Sequence, residues 1–503
     1  MDYTNFMNSL YAKKESKSYP APELLDSAFR LEVSSAFYFF HELSLADMAH
    51  VLMLMEKDII PQKAGSRLLK TLLKAHNIPL SEFPLDLSLG DFYNCRESYL
   101  CKIDPEASGW QRTGRARREA TNIAFLKAVR KRLISLIESH ENFGYTLLKK
   151  AKEHIHTLMP DYTYLQQAQP TTFAHYLLGF VYPLIRDLSR LYCCFKRINR
   201  SPGGLGSVNG SRLPLDRKRV ADLLGFDGII THTRDAMWQA DIPIEISSCA
   251  TNLLINLDRL AEDLQIWHTC EFNFIQLDKK YCRDSVIMPQ KKNPYSLAYL
   301  RGLTNMSISG STAMFSLGRT PSGQPDNRIF AYVELPRLLD QTIKAVSLMT
   351  GIVNSLKVNE SVMSEKFIYG YTQATDIAEV IMLETGLPYR TAHNIVQKLV
   401  EKAKSENIPA IDISTEIIDQ ISKELLGFAL NIPAQAVIDA LNPEKIVAAR
   451  KGIGGASKKS VQNMIKDCQN EIAKSQKWRE HTQERIKKAR EDLLDLTKKA
   501  AKI

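Results

Sequence analysis

Residues Phe173–Ile198, FAHYLLGFVYPLIRDLSRLYCCFKRI, decide the fold. Phe173, Leu177, Val181, Leu184, Leu188, Leu191, Phe195 and Ile198 recur at steps of four and three, the spacing that lines apolar side chains along one face of an α-helix. Pro183 lies inside the run without disturbing its period. The same pattern continues outward. Upstream, Ile123, Leu126, Val129, Leu133, Leu136, Phe143 and Leu147 form a run that Pro160 closes. Downstream, Ile246, Ala250, Leu253, Leu257, Leu260, Leu264 and Trp267 form a third; a fourth follows Pro294, and a fifth starts near Val333 and reaches Leu356. Five helices of this length predict an elongated all-α bundle. Their apolar faces are wider than one bundle can bury, which predicts that several subunits pack together. Strand-like alternation is scarce throughout.

The flanks read differently. Residues 1–20 look like a loosely ordered lead, and 79–109 like loop with a short helix near Asp91–Leu100. Shorter helices punctuated by Gly and Pro follow residue 358, and Glu471–Ile503 is a charged terminal helix, read either as a short coiled-coil seam or as an amphipathic helix lying on the body. A chain of 503 residues exceeds the size at which a single core stops growing. Three units are expected: a helical N-terminal domain over 1–109, the long-helix bundle over 110–357, and a small helical domain with its terminal extension over 358–503.

Apolar residues make up 44% and charged residues 24%, ordinary for a soluble protein, and the net charge of +10 is mild for this length. It suits a small anionic substrate and gives no reason to expect nucleic acid. No apolar run approaches the roughly 20 residues that span a bilayer. The eight cysteines show neither C-x-x-C pairs nor zinc spacing. A cytoplasmic protein with no metal or organic cofactor and no membrane partner is expected.

Between the third and fourth runs lies Asp284–Pro294, DSVIMPQKKNP. Two prolines bracket it, so it is a loop joining helices, and it concentrates Ser285, Lys291, Lys292 and Asn293. On its own it reads equally well as a basic surface turn or as a functional loop. Set between long helices it resembles the mobile loop GSSxMPxKxNP of the fumarase/aspartase superfamily, with the QKKNP ending of the argininosuccinate lyase family. Further stretches resemble that family in order: TGRARREAT against TGRSRNDQV, DYTYLQQAQP against GYTHLQxAQP, SVNGSRLPLDRKRVADLLGFDG, LPYRTAHNIV and ALNPEKIVAARKGIGGAS. The likeness covers about residues 25 to 470.

The resemblance implies a three-domain helical subunit, a homotetramer built round the long helices, and active sites shared between subunits. It implies reversible β-elimination of fumarate from a succinyl-amine substrate. Ser285 would be the base, Lys291 would stabilise the charge growing on the substrate carboxylate with Asn293 holding it, and Tyr164 would be the acid for the leaving amine. Thr113, Arg115, Arg117, Thr163, Gln166 and Met288 would bind the substrate. A basic helix-start salt-bridge cluster is the other reading of Arg115 and Arg117.

Departures from the family pattern gather at these same places. Tyr164 and Tyr93 stand where the family has histidines, Asp284 and Val286 where the loop has glycine and a second serine, and residues 326–334 lack the Tyr and Gln that grip the amino-acid part of argininosuccinate. Tyrosine, with a free pKa near 10, can donate a proton but is a poor base at neutral pH. The lid therefore keeps its elimination chemistry while the leaving-group pocket is rebuilt, which predicts a lyase for an N-substituted aspartate other than argininosuccinate. A true argininosuccinate lyase with a divergent pocket, and a weak or inactive paralogue, remain open.

Overall fold

The computed structural model describes residues 2, 3, 5, 20–320 and 328–502; the expected lead over 1–20 lies almost wholly outside them. The five runs are five long helices: α4 (Arg117–Glu153), α5 (Phe173–Ile198), α6 (Asp241–Trp267), α7 (Tyr295–Gly318) and α8 (Arg328–Ser355). Before them come α1 (Ala36–Glu56), α2 (Gln62–Asn77) and α3 (Phe92–Ile103). At 37 residues α4 is about 55 Å long. It packs against α1, α5 and α8, while α6 packs against α5, α7 and α8. The architecture is all-α and multi-domain, as expected.

Local chemistry explains the limits of these helices. Thr172 caps α5, its Oγ accepting from the His175 N–H at 3.1 Å. Pro183 is tolerated because the carbonyl it would crowd belongs to Gly179, which is exposed, with open space where a β-carbon would stand, so the freed carbonyl can turn to water.

One continuous core takes in α1–α8, from Leu25 to Met363, so residues before and after 109 share it. A second core, Tyr371–Leu441, belongs to a small unit built from helices such as Ala374–Thr385 and Tyr389–Ser405. The terminal helix, α9, runs from Lys458 to Ala500, longer than expected. Although the sequence groups it with the small unit, it packs on α4 and α5, and Val461, Ile465, Ile472 and Leu493 join the main core. Arg479 makes a buried ion pair with Glu141 of α4 at 2.7 Å, and Trp478 meets Tyr192 and Phe195 edge to face. The helix lying on the body is thus the reading that holds, because its apolar stripe is spent on this chain.

The strand content, small as it is, matters. β1 (Leu158–Thr163) and β2 (Gln166–Thr172) form an antiparallel hairpin in which Pro160 faces Pro170. Two prolines and the absence of an Asn-Gly turn hide this hairpin in the sequence. The other notable surface is on α7. Ser296, Leu297, Leu300, Thr304, Ser307, Ser311 and Met314 are buried at helical spacing, yet Tyr295, Tyr299, Met306, Ile308 and Phe315 are exposed. Arg301 is the one charged residue in its 24.

Candidate active site

The loop at 284–294 is a miniature two-stranded lid. β3 (Arg283–Asp284) pairs with β4 (Lys292–Asn293). Asn293 closes its neck, its side-chain amide donating to the Arg283 carbonyl at 3.0 Å. The Arg283 guanidinium lies 4.1 Å from the centre of the Tyr295 ring, a cation–π contact that ties the lid to the start of α7. Within the lid the Met288 N–H donates to Ser285 Oγ at 3.1 Å, and the Lys291 N–H donates to the Met288 carbonyl at 3.0 Å. A serine oxygen that already accepts a backbone N–H is favoured as an anion. Val286, Ile287, Met288 and Lys291 point outward into open space. Asp284 lies opposite Lys292 in the strand register.

Tyr164 occupies the tip of the β1–β2 hairpin, between Thr163 and Gln166, which pair with each other. Tyr164 and Leu165 both have left-handed backbones, with φ of 55° and 57°. That is the geometry of a two-residue type I′ turn, which normally selects Asn-Gly. Two side chains in this region cost roughly 1–2 kcal/mol each. The tip nevertheless presents Tyr164 at 98% and Leu165 at 60% exposure. Thr163 and Gln166 are exposed beside it.

The third group lies at the start of α4, where Arg115 is closed off and Arg117 is partly exposed. Arg115 is wholly buried and donates to Asp47 at 2.7 Å; Arg96, equally buried, reaches the other Asp47 oxygen at 3.3 Å. Two guanidiniums thus share one carboxylate, and Nε and Nη1 of Arg96 have no hydrogen-bond partner. Burial works against the Arg115 charge but Asp47 outweighs it, holding the guanidinium charged; in Arg96 burial prevails and lowers the pKa. Arg117 pairs with Asp91, which also caps α3 by accepting from the Asn94 N–H. Thr113 offers its carbonyl to His50 Nε2 at 2.9 Å. Burial and nearby Arg115 keep that imidazole neutral. Tyr93 is fully buried, and burial raises its pKa. Glu119 accepts from the Gly204 and Leu205 N–H groups at 2.6 and 3.2 Å, anchoring the Gly-rich loop. Burial pushes its pKa up to about 7 against the pull of Arg115 and those N–H donors.

The structure therefore brings Ser285, Met288, Lys291 and Asn293 together, and Thr163, Tyr164 and Gln166 together. It places Thr113, Arg115 and Arg117 in a third group. Among the described residues no hydrogen bond or ion pair joins one group to another. Asp47 and Glu119 escaped the sequence reading. Asp47 is an acid inside the apolar run LSLADMAHVLMLM, and that mismatch was the available signal. Arg328, Ala331 and Tyr332 sit buried at the start of α8, while 326 and 327 lie outside the described residues. No group of three or more His, Cys, Asp or Glu side chains could hold a metal ion among the described residues.

Known proteins resemble this chain in sequence and in fold. Residues 87–307 match the lyase family, and 371–448 match the argininosuccinate lyase C-terminal family. The chain is similar to argininosuccinate lyase of Methanosarcina mazei, 34% identical over 461 residues, covering 91% of this chain and 93% of that protein. It is 32% identical to the Methanosarcina acetivorans enzyme over 502 residues, covering 99% and 100%. Among solved structures it superposes on an EDDS lyase variant with bound fumarate, with TM-score 0.86, 28% identity and 97% of both chains covered. A class II fumarase from Schistosoma mansoni, at 14% identity, TM-score 0.70 and coverage of 86% and 96%, shares the fold. With two relatives above 30% identity along nearly the whole chain, this chain belongs to the argininosuccinate lyase family of the fumarase/aspartase superfamily and is a carbon–nitrogen lyase.

Proposed function

We propose that the enzyme releases fumarate from an N-substituted aspartate other than argininosuccinate, or adds an amine to fumarate in the reverse direction, in the cytoplasm. The carrying observation is the lid: Ser285 Oγ accepts the Met288 N–H inside the same short loop that carries Lys291, with Asn293 locking its neck. Ser285 as alkoxide removes the proton beside the substrate carboxylate. The electron pair moves onto that carboxylate, where Lys291 offsets the growing charge, and the C–N bond then breaks. Tyr164 protonates the leaving amine, a role that suits a phenol better than base catalysis does. The relatives named argininosuccinate lyase and the EDDS lyase variant with bound fumarate support this class.

The leaving group is not the one argininosuccinate carries, on this reading, because the surroundings differ. Tyr93 is buried and so does not touch substrate, Arg115 is committed to Asp47, and Ala331 lies in the core. Arg117, partly exposed beside Asp91, is the cation of that group with access to an anion.

The active site is completed by other subunits of a homotetramer. Two observations support this: among the described residues no hydrogen bond or ion pair joins the hairpin tip, the lid and the α4 start, and α7 leaves an almost uncharged face exposed. An apolar face of that size calls for a partner. Light scattering is expected to give a tetramer; a monomer contradicts the shared site. Mixing Ser285→Ala and Tyr164→Phe subunits, each nearly inactive alone, is expected to restore partial activity through sites that draw both groups from unmutated chains.

The decisive assay follows fumarate by its ultraviolet absorbance, with argininosuccinate and, in reverse, with fumarate and a panel of amines. Turnover of another succinyl amine that disappears in Ser285→Ala supports the proposal. Argininosuccinate turnover at an ordinary enzyme rate overturns the substrate assignment, and activity surviving Ser285→Ala overturns the base.

A further inference from the structure

Among the eight free cysteines, two on neighbouring helices stand thiol to thiol. Cys194 of α5 donates its S–H to Cys249 Sγ of α6 at 3.4 Å. Cys194 is wholly buried; Cys249 is partly exposed. The surroundings of Cys249 are charged: Arg190, paired with Asp187, and Glu245, paired with Arg197, all partly open to solvent on the Arg and Glu side. The end of the helix pair that bears these thiols is far from the lid and the hairpin. Phe173 at the start of α5 meets Trp267 at the end of α6, and Cys194 lies 21 positions further along α5, about 30 Å away.

We propose that Cys194 and Cys249 form a peroxide-reactive pair, an oxidative modification site that joins α5 to α6 by a disulfide. The division of labour follows from access: Cys249 is the partly exposed thiol that peroxide can reach, and Cys194 the buried one beside it. The Cys194 S–H lowers the pKa of Cys249, with Arg190 in support, against burial, Glu245 and Asp187, while Cys194, donating and buried, is held protonated. The thiolate is the nucleophile in such chemistry. Cys249 sulfur attacks one peroxide oxygen, forming S–O as O–O breaks, and hydroxide leaves to become water. Cys194 sulfur then attacks Cys249 sulfur; S–S forms, S–O breaks, and the departing hydroxide takes up the Cys194 proton as a second water. Two thiols are oxidised by two electrons in total, and one hydrogen peroxide is reduced to two waters. To bond, the sulfurs must approach from 3.4 Å to about 2.0 Å.

Cys270, the exposed thiol of the chain, is an internal control. The full-length protein is treated with a small excess of hydrogen peroxide, free thiols are counted, and unreduced peptides are mapped by mass spectrometry. The expected result is the loss of two thiols per chain and a Cys194–Cys249 linked peptide within one chain. Cys249 is expected to lose its thiol ahead of Cys270, because a resolving thiol stands beside it and none stands beside Cys270 among the described contacts. In Cys194→Ser, a sulfenic acid trapped by dimedone is expected on Cys249. A wild-type map with no Cys194–Cys249 peptide, or one in which Cys270 reacts first, overturns the proposal. Because the wild-type map needs no substitution, a poorly folding variant leaves the test intact.

Discussion

The lid and the start of α4 are both rich in charge, and both carry residues matched to family site positions, but they end in opposite states. The lid leaves its chemistry outward. Ser285 is held by one backbone N–H, Lys291 is exposed, and the loop is fixed only at its neck. At α4 the protein has supplied its own counter-ions, Asp47 for Arg115 and Arg96, and Asp91 for Arg117. A cation in open lid geometry can bind a substrate's carboxylate. A cation already buried against a carboxylate serves the fold, because separating such a pair costs more than an exposed contact returns. Arg115 is buried against Asp47, whereas Arg117 stays partly exposed beside Asp91.

Two substitutions break this comparison from its two ends. Ser285→Ala is expected to lower kcat by at least about 10³, roughly 4 kcal/mol of barrier, while denaturant midpoints stay within about 0.5 kcal/mol of the parent. Asp47→Asn is expected to do the reverse. It leaves two buried guanidiniums without a carboxylate, and stability should fall by about 3–5 kcal/mol in chemical denaturation. A nearly neutral Asp47→Asn would mean that Arg115 has another anion to turn to, and the cluster would be open after all.

Glu119 sharpens the same contrast through pH. Its folded pKa of about 7 lies above that of an unfolded carboxyl near 4.5, so between these values the folded state binds more protons. Stability from this group is therefore fully present below about pH 4.5 and is lost as pH rises through 7. Glu119→Gln, which can still accept the Gly204 and Leu205 N–H groups, is expected to remove roughly 2–3 kcal/mol of that pH dependence. Unfolding midpoints measured from pH 5 to 8 in both proteins check it: the parent curve should fall and the variant curve stay flatter.

The long helices were legible because their apolar periodicity is regional and survives local exceptions such as Pro183. The stretch 284–294 was legible as a loop between helices because Pro289 and Pro294 interrupt the helical period. The hairpin was not, since Pro160 and Pro170 read as helix stops and Tyr164-Leu165 carries no turn signature. Nor was the Asp47 cluster. It joins residues 47, 96, 111 and 115, and a pairing across such distances depends on how α1, α3 and α4 pack, which periodicity does not encode. The terminal helix was seen as amphipathic, but its partner was fixed by tertiary contacts with α4 and α5.

The smallest expected effect concerns the strain at the hairpin tip, the counterpart of the lid in openness. Leu165 has a left-handed backbone and is 60% exposed, so little apolar burial is at stake. Leu165→Gly should relieve roughly 1–2 kcal/mol of left-handed strain and return roughly 0.5–1 kcal/mol through the freer unfolded chain, a net gain of about 0.5–1 kcal/mol. Thermal and denaturant unfolding measure it. The same substitution loosens the turn that aims Tyr164, so turnover should fall as stability rises, in keeping with strain being held where function needs a fixed side chain. If stability rises and turnover is unchanged, the strain is incidental and Tyr164 is positioned by the neighbouring subunit. If stability drops, Leu165 is anchored by contacts that the tip makes in the assembled protein, and the exposed hairpin is part of an interface rather than a free arm.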